Sequence, residues 1–405
     1  MIFLYYFFAA VLVFLGYKSL RGGIEYLKFF ETELAKPESK FTPFCSIIVP
    51  CRGLDQDLHE NLSALLQQNF PDYEILFVID DKADEAVKVI EEVSRKGAKT
   101  AKLVVAGKAT RSSQKVHNLR QAILKVSEKS EIFVFVDSDA RPSKNWLRNL
   151  VAPLQDETIG CATGYRWFIS KKNNFASRLR SVWNASIASA LGANVKRNFC
   201  WGGSTAIRRD VFERLNLREK WRGTLSDDFT LTNAMNAANL PICFVSQCLT
   251  ATVEDCNGRE LLEFTTRQMK ITRIYAPHLW KASLIGSFLF TAVFWSGIVL
   301  LFFVSNFHFW LTLTFLLVIF AFGFVKAWLR LKAVKLALNN YEKELNHQLL
   351  SHLTLWTISP LLYFYNCLCA LFSRKIVWRG IEYNLKSATE TEILSTNNRQ
   401  LESIE

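Results

Sequence analysis

The sequence predicts an α/β fold that is built around a parallel β-sheet and joined to apolar membrane helices. Short β-type runs alternate with amphipathic helical patterns across residues 43–277, and apolar stretches of near-membrane length lie on both sides of this region. The fourth β-type run, residues 132–136, leads directly into Asp137-Ser138-Asp139. Such alternation is typical of parallel sheets that carry their ligand-binding groups at the carboxyl edge of the strands.

The composition indicates a soluble-type core combined with membrane segments. Half of the 405 residues are hydrophobic and Phe alone supplies 32, yet 21% of the residues are charged. The net charge of +12 suits nucleic acid or an anionic membrane face, and the long apolar stretches favour the membrane. We therefore expect a membrane partner and no nucleic acid. The nine cysteines include no CxxC pair, which disfavours a zinc site or a disulfide framework and indicates reduced, buried thiols.

Residues 1–20 are predicted to form an N-terminal membrane anchor. The run up to Tyr17 is apolar and is followed by Lys18, Arg21 and Lys28. A cleaved signal peptide normally carries its basic residues before the apolar run. The basic flank after the run indicates a signal anchor that leaves the following domain in the cytosol.

Residues 43–277 are predicted to form one α/β domain. Its expected strands are the β-type runs 46–49, 74–79, 102–105 and 132–136. Its expected helices, placed between the strands by their amphipathic patterns, are 58–68, 84–96 and 114–125. This order predicts parallel strands connected by helices on the faces of the sheet.

The second half of the chain contains further apolar segments. Residues 284–325 are predicted to form a transmembrane hairpin, because the apolar stretches 284–304 and 309–325 are separated by only a short break. Residues 327–347 carry lysines among Leu and Ala, which predicts either an amphipathic interfacial helix or an ordinary connecting helix.

The last apolar segment, residues 349–372, admits two interpretations. It contains Pro360 and is followed by Arg374 and Lys375, which a full crossing would place on the outer side, against the positive-inside rule. A re-entrant or interfacial segment is therefore slightly favoured over a crossing. Residues 387–405 are polar and are predicted to form a disordered tail.

Carboxylates recur at the ends of predicted strands and at a helix start. Asp137 and Asp139, two residues apart, suit a divalent cation that also holds a diphosphate, because hard cations prefer oxygen ligands. This pattern alone is weak evidence, since many unrelated strands end in it. The ordered set is more specific: Asp80-Asp81, Asp137-Ser138-Asp139, Asp227-Asp228-Phe229 and the basic run 267–273.

This order resembles the family 2 glycosyltransferases of GT-A fold, and most closely their ceramide glucosyltransferase-like membrane subgroup. The segments 46–53, 114–119, 202–208 and 377–383 are similar to that subgroup as well. The resemblance implies a Rossmann-like nucleotide-sugar domain with transmembrane helices on both sides.

The resemblance also implies roles for the residues on the donor side. Asp81 would read the nucleobase with Asp80 in support, although Asp81 could instead cap the following helix. Asp137 would hold the ribose and the metal, and Asp139 would be the more direct ligand of Mg²⁺ or Mn²⁺. Lys115 would contact the phosphate or the uridine, unless it is simply a solvated helix lysine.

On the acceptor side, Asp228 matches the catalytic base, and its neighbour Asp227 leaves some ambiguity. Inversion at an anomeric carbon needs a carboxylate opposite the leaving group to accept the proton of the acceptor hydroxyl. A helix start also favours carboxylates for electrostatic reasons alone. Trp201, Gly202 and Gly203 are predicted to lie on the acceptor side, although two glycines before a strand also suit a tight turn.

The basic run departs from the family pattern of Gln or Arg, two residues, then Arg-Trp. Arg267 fills the first slot and is followed by Gln268, but Lys270 replaces the arginine and Ile271 the tryptophan. Lysine offers a point charge without the bidentate fork, so Arg273 is a candidate for the missing guanidinium. Isoleucine cannot stack under an acceptor sugar, which argues against a polysaccharide polymerase.

The resulting expectation is an integral membrane, inverting glycosyltransferase with a cytosolic catalytic domain, in the inner or plasma membrane if the protein is bacterial. It would move a hexose, most simply glucose from UDP-glucose, onto a lipid hydroxyl such as that of ceramide or diacylglycerol. A polysaccharide synthase or polyprenyl-phosphate glycosyltransferase of the same fold is one alternative. A catalytically silent membrane scaffold is another.

Overall fold

The computed structural model describes residues 2–97 and 100–396, and the chain divides into two compact units. The sheet unit comprises Glu33–Phe168, Ala190–Glu254 and the chain from Arg374 onward. The helical unit comprises the chain before Glu33, Ile169–Ser189 and Asp255–Ser373.

Within the described residues of the sheet unit, seven strands form one mixed sheet. They are β1 Cys45–Pro50, β2 Tyr73–Ile79, β3 Thr100–Val105, β4 Ile132–Phe135, β5 Cys161–Ile169, β6 Thr205–Arg208 and β7 Ile242–Val253, and their order is β3-β2-β1-β4-β6-β5-β7. The pairs β1–β2, β2–β3 and β1–β4 are parallel, as predicted. β6, which was not among the predicted strands, pairs antiparallel with both β4 and β5 and makes the sheet mixed.

In the parallel half, β1, β2 and β4 are mainly apolar and buried, as is typical of parallel strands that are covered on both faces, whereas the edge strand β3 is mostly exposed. Ile47 of β1 lies between Ile75 of β2 and Val134 of β4, and all three side chains are buried. The covering and connecting helices are α2 Leu58–Leu66, α3 Ala86–Lys96, α4 Gln114–Ala122, α5 Trp146–Val151, α7 Arg209–Arg214, α8 Leu217–Lys220 and α9 Asp227–Ala237, with 3₁₀ turns at Ile123–Lys125 and Ala152–Gln155.

An aromatic cluster fixes β4 within the core. Phe133 and Phe135 of β4 contact Phe212, with ring centroids 5.2 and 6.2 Å apart, and Phe135 also contacts Trp221 at 5.3 Å. All four rings are buried. The indole Nε1 of Trp221 donates a hydrogen bond to the backbone oxygen of Asp227 at 3.1 Å. The cluster therefore joins the strand that precedes Asp137 to the start of α9.

A second, three-stranded sheet lies in the last described part of the chain. It consists of β8 Lys375–Trp378, β9 Ile381–Leu385 and β10 Thr391–Thr396, in the order β10-β9-β8, with antiparallel pairing throughout. The prediction of disorder from residue 387 was therefore wrong for β10. Polar residues suit this edge strand because β9 supplies the buried side chains. Residues 397–405 of the predicted tail lie outside the described residues.

The helical unit contains α1 Ile2–Leu34, α6 Phe175–Ala188, α10 Gly258–Tyr275, α11 Pro277–Leu300, α12 Asn306–Ala337, α13 Glu342–His347, α14 Leu349–Thr354 and α15 Ser359–Phe372, with 3₁₀ turns at Asn339–Tyr341 and Leu355–Thr357. Among the described helices, α1, α11 and α12 are long and apolar enough to cross a membrane. The pair Leu349–Thr357 and Ser359–Phe372 is bent by 56°, as in a broken span or a re-entrant loop.

Several predicted boundaries differ from the observed ones. The anchor predicted at residues 1–20 is part of α1, and α6 and α10 belong to the helical unit although both fall within the predicted domain 43–277. A separate helix over residues 327–347 was wrong, because α12 continues to Ala337. No Gly or Pro interrupts residues 326–337, which are rich in Lys, Leu and Ala, so the helix has no reason to stop at the end of its apolar stretch.

Gly164 of β5 offers a test of the mixed half of the sheet. A Cβ at this position would clash with the backbone oxygen of Cys248 and lie 2.6 Å from the Ser204 Oγ. We expect Gly164→Ala to lower the free energy of unfolding by about 1–3 kcal/mol, because the neighbouring backbone must shift. The control is Gly192→Ala, whose Cβ would have no atom within 4 Å. Equal melting temperatures for the two variants in detergent would contradict the packing described.

Candidate active site

The predicted metal-binding motif lies at the carboxyl end of β4, a central strand of the sheet. The Ser138 Oγ donates a hydrogen bond to the Asp55 Oδ2 at 2.5 Å, and the Ser138 backbone oxygen accepts one from the Asn61 Nδ2 at 3.2 Å. These bonds hold the middle residue of the motif. Asp137 and Asp139, on either side of it, are thereby kept at the edge of the sheet.

Lys115 joins the motif to the start of α9. Its Nζ lies 2.7 Å from the Asp137 Oδ1 and 3.2 Å from the Asp227 Oδ1, and its side chain is only 15% exposed. Lys115 is held at the start of α4, where the Ser113 Oγ accepts a hydrogen bond from the Val116 backbone N–H. The alternative of a solvated helix lysine is therefore wrong, because Lys115 connects two carboxylates of the predicted site.

Asp227 and Asp228 occupy different environments although they are adjacent. Asp227 is buried and faces Gly202, where a Cβ would clash with the Asp227 Oδ2 and lie 2.7 Å from the Lys115 Nζ. Only glycine allows this close approach. Asp228 is partly exposed, and its Oδ1 accepts hydrogen bonds from the Ser226 hydroxyl and, at 2.7 Å, from the Phe229 backbone N–H. Asp228 thus helps to cap α9 with one oxygen only.

Burial and neighbouring charges shift the pKa values of this group. Burial raises the pKa of Asp227 to about 6, against the opposing charge of Lys115 and with further raising by Asp228 and Asp137. Burial also disfavours the charged form of Asp137, but Lys115 and Arg166 outweigh it and hold its pKa below the ordinary value. Lys115 is itself buried, yet the surrounding carboxylates keep its pKa above the ordinary value. An ionised Lys115–Asp137 pair therefore forms the centre of the site.

Asp139 is suited to a metal because one of its oxygens is buried and unused. Its Oδ1 has no hydrogen-bond partner among residues 2–97 and 100–396, while its Oδ2 lies 3.5 Å from the Arg166 Nη1. Burial raises the pKa of Asp139 to about 6, and Asp137 and Asp55 add to this rise. A bound cation would relieve the same electrostatic cost.

The protein supplies only part of a coordination sphere. No group of three or more His, Cys, Asp or Glu side chains is arranged as a metal site within the described part of the chain. Mg²⁺ is usually held by one or two carboxylates together with water and substrate phosphates. The residues present therefore fit a cation shared with a diphosphate, not a closed structural metal site.

Asp80 and Asp81, the first pair of carboxylates, differ in burial and in hydrogen-bond partners. Asp80 is buried and accepts a hydrogen bond from the Arg52 Nη1 at 2.6 Å. Asp81 is exposed, and its Oδ1 accepts a hydrogen bond from the Ala83 backbone N–H at 3.1 Å. This hydrogen bond stays within the turn and does not cap α3, which begins at Ala86, so the structure does not support the capping alternative for Asp81.

Three arginines that the sequence did not single out lie at the site. Arg52 binds Asp80, and Arg166 of β5 contacts Asp139 and lies over the Trp201 ring at 5.0 Å. The Arg379 Nη1 lies 2.5 Å from the Asp55 Oδ1 and donates a hydrogen bond to the Arg52 backbone oxygen at 3.2 Å. Arg379 sits in the β8–β9 turn with φ +50°, a conformation that non-glycine residues adopt mostly at functional or turn positions. Its only sequence signal was its place in segment 377–383.

The predicted acceptor-side residues form a tight turn next to this group. Trp201 is buried, and a Cβ at Gly203 would clash with its ring, so Gly203 allows the indole to fold over the turn. Trp201 also contacts Tyr165, with ring centroids 5.6 Å apart. The tight turn is therefore observed, and Gly202 places it next to Lys115 and Asp227. The acceptor-side role of these residues stays a prediction.

The basic run 267–273 lies on α10 in the helical unit. The Lys270 Nζ donates a hydrogen bond to the Ser373 Oγ at 3.3 Å, and Arg267 lies over the Phe264 ring at 5.5 Å. The Arg273 Nη1 donates to the backbone oxygens of Ala370 and Leu371 at 2.5 and 2.9 Å. Arg273 thus binds carbonyl groups at the end of α15, a role that the sequence did not suggest. Within the same run, Gln268 is partly exposed and Ile271 is buried.

The raised pKa values predict how the stability of the metal-free protein depends on pH. Between about pH 4 and pH 6 the folded protein keeps protons on Asp139 and Asp227 that the unfolded chain has released, so the contribution of these two groups to the free energy of unfolding falls as pH rises through this range. The lowered pKa of Asp137 affects stability only below this range. We expect the melting temperature of the wild type to fall relative to that of Asp227→Asn between about pH 4 and about pH 7.5.

The control for this measurement is Asp72→Asn, which changes an exposed carboxylate. It should keep the pH dependence of the wild-type protein. Parallel curves for wild type and Asp227→Asn would mean that Asp227 titrates normally.

Known proteins are similar to this chain over part or most of its length. A 170-residue segment is 27% identical to hyaluronan synthase of Streptococcus pyogenes, and the match covers 40% of this chain and 40% of that protein. A mannosyltransferase from Pyrobaculum calidifontis, solved with GDP-Man and Mn²⁺, is 17% identical with a TM-score of 0.46, covering 90% of this chain and 99% of the other. Glucosyl-3-phosphoglycerate synthase from Mycobacterium tuberculosis is 13% identical with a TM-score of 0.37, covering 56% and 78%.

The family model described as Glycosyl transferase family 21 matches residues 6–391, which is nearly the whole chain. The family expected from the order of the carboxylate motifs is confirmed by this match. The chain belongs to glycosyl transferase family 21.

Proposed function

We propose that the protein is an inverting, membrane-bound glycosyltransferase that moves glucose from UDP-glucose onto a lipid hydroxyl. The observation that carries the proposal is the meeting of Asp137 with Asp227 and Asp228 around Lys115, with Asp139 close to Asp137. A donor-side and an acceptor-side carboxylate pair then share one site. The same chain contains three described helices with the length and hydropathy of membrane spans.

The donor diphosphate would lie against Asp139 and Lys115. Mg²⁺ or Mn²⁺, held by Asp139 with Asp137, would neutralise the charge that develops on the leaving diphosphate. The free Oδ1 of Asp139 supports this assignment. Lys115 keeps Asp137 ionised and adds a positive charge on the same side. Arg379 supplies a guanidinium near Asp139, which supports a role for it beside the donor.

Asp228 is the proposed catalytic base. The acceptor oxygen would attack the anomeric carbon, its proton would pass to Asp228, and the bond from that carbon to the diphosphate oxygen would break with the electron pair leaving on the diphosphate. Asp228 is partly exposed and uses one oxygen for α9, which leaves the second for the acceptor. Asp227 is buried against Lys115 and is better suited to positioning.

The remaining assignments rest on the family resemblance. Asp81 would bind the uracil ring, with Asp80 held behind it by Arg52. The basic residues Arg267, Gln268, Lys270 and Arg273 would serve the diphosphate, and the turn of Trp201, Gly202 and Gly203 would border the acceptor.

A lipid acceptor is favoured over a growing polysaccharide. Position 271 carries isoleucine, which is buried and cannot stack on a sugar. The apolar helices and the basic flank Lys18, Arg21 and Lys28 support a sheet unit on the cytosolic side of a membrane, where donor and lipid meet. Ceramide and diacylglycerol both carry a suitable hydroxyl.

A polysaccharide synthase of the same fold is the second candidate, and the partial match to hyaluronan synthase is the observation in its favour. Transfer to a polyprenyl phosphate is a variant of the lipid proposal. A silent scaffold is disfavoured, because a scaffold has no need to hold several carboxylates around one buried lysine.

The decisive assay uses membranes that contain the protein, radiolabelled UDP-sugars and total host lipid, followed by organic extraction. We expect labelled glycolipid, and a loss of about 10²- to 10⁴-fold in Asp228→Asn with retained UDP binding, because only the proton acceptor is removed. Near-normal turnover in Asp228→Asn would rule out Asp228 as the base. Label confined to an ethanol-insoluble polymer would favour the polysaccharide synthase.

The metal assignment is tested by UDP binding in the presence of Mn²⁺. Asp139→Ala should weaken metal-dependent UDP binding by about tenfold or more, equivalent to at least 1.4 kcal/mol, because the buried oxygen ligand is removed. Calorimetric titration of UDP with and without EDTA measures the metal-dependent part of the binding affinity. Asp72→Ala removes an exposed carboxylate and is the control. An affinity in Asp139→Ala equal to that of the control would exclude Asp139 as a ligand.

A further inference from the structure

The helical unit contains a buried polar cluster that the proposed reaction does not use. It comprises Tyr26 of α1, Lys326 and Arg330 of α12, and Gln348 and His352 beside and within α14. Lys326 and Arg330 are four residues apart and share a helix face, as do Gln348 and His352, and α12 packs against α14. Arg330 lies within electrostatic range of Tyr26, Lys326 and His352. Tyr26, Lys326 and His352 therefore surround Arg330, and Gln348 lies one helical turn from His352. These five side chains are here called the Arg330 cluster.

Several polar atoms of this cluster have unmet hydrogen-bonding capacity. The Nε of Arg330, both amide atoms of Gln348 and the hydroxyl of Tyr26 are buried without a hydrogen-bond partner among residues 2–97 and 100–396. Gln348 is fully buried, and Arg330 is 5% exposed. Buried polar groups in folded proteins are almost always paired, so this concentration points to a ligand that supplies acceptors.

The charge of the cluster points to an anion. Arg330 forms no ion pair with any residue in the described part of the chain, and the Nζ of Lys326 donates at 2.7 Å to the neutral Ser19 Oγ. Two cations thus lie together in a helix of membrane-spanning length without a carboxylate partner from residues 2–97 or 100–396. Ionisable groups in such helices are normally paired or mark binding sites.

The position of the cluster along α12 matches the depth of lipid head groups. At 1.5 Å per residue, about 30 Å of helix separates Asn306 from Lys326, which is about the thickness of the hydrocarbon core. Lys326 is only partly buried, so the cluster is accessible from its side. The available groups are mainly donors: a guanidinium fork, an ammonium group, an amide and a phenol. The oxygens of an ionised phosphate accept hydrogen bonds, and two of them can pair with two N–H groups of a guanidinium.

We propose that the Arg330 cluster binds the phosphate of an anionic membrane lipid, in a site separate from donor and acceptor. The proposal is independent of the proposed transfer reaction. Occupancy would supply the countercharge for Arg330 and Lys326 and tie α1, α12 and α14 together. The enzyme would then depend on lipid charge for stability even with a neutral acceptor.

The test is a lipid titration of the purified full-length protein in neutral detergent, followed by native mass spectrometry. We expect one phosphatidylglycerol molecule to be retained at concentrations where phosphatidylcholine is not. Arg330→Gln should raise the half-saturating concentration of phosphatidylglycerol by about tenfold or more. Lys332→Gln removes a charge from an exposed position two residues away and should bind as the wild type does.

A second readout separates binding from folding. Without anionic lipid, Arg330→Gln should be at least as stable as the wild type, because a buried unpaired cation is lost. Phosphatidylglycerol should raise the melting temperature of the wild type and of Lys332→Gln only. Gln348→Leu removes the unpaired amide while filling its space, and should also weaken lipid binding without loss of stability.

Three results would overturn the proposal. Equal retention of phosphatidylglycerol by wild type and by both cluster variants would show that the cluster is not the site. Equal affinity for phosphatidylcholine would remove the anionic requirement. Displacement of the lipid by millimolar inorganic phosphate would assign the cluster to free phosphate instead of a lipid.

Discussion

The candidate active site depends on the buried ammonium group of Lys115, which lies between Asp137 and Asp227. Without this charge, four carboxylates gathered at one sheet edge would repel each other and become protonated. With the charge of Lys115 in place, Asp137 stays ionised and Asp227 can be buried against Gly202. Three distant parts of the chain, the start of α4, the end of β4 and the start of α9, must all be in place before this pairing exists. Folding of the sheet and assembly of the site are therefore the same event.

The carboxylates of the site differ in pKa, and this difference suits them to different roles in the proposed reaction. Asp137 is held ionised, whereas burial favours protonated Asp139 and Asp227 in the metal-free protein. In the proposed reaction, a cation or a diphosphate donor would change this balance on the Asp139 side first. Asp228, which is partly exposed, would be left to accept a proton. Adjacent carboxylates can thus take different roles because their surroundings differ, not their chemistry.

The sequence predicted the parts of the fold and site that have a local signature. β1 to β4, the carboxylates at their ends and Lys115 at a helix start are all encoded within short windows. The strands β5 to β7 were not predicted, because β6 pairs with β4 and β5 with β6 across distant segments of the chain. Arg166 and Arg379 were missed for the same reason: each reaches a carboxylate far away in the chain, and neither belongs to a periodic pattern. β10 was missed because its composition is polar, while its order comes from pairing with β9.

The assignment of β8–β10 to the sheet unit constrains how often the intervening chain can pass through a bilayer. Ala190–Glu254 and the chain from Arg374 belong to one compact unit, and a membrane cannot run through the middle of it. The number of crossings between them must therefore be even. If α11 and α12 each cross once, that count is already two, and the bent pair of α14 and α15 must return to the side on which it started. Under that condition residues 349–372 would be re-entrant, an alternative that hydropathy and flanking charge left open.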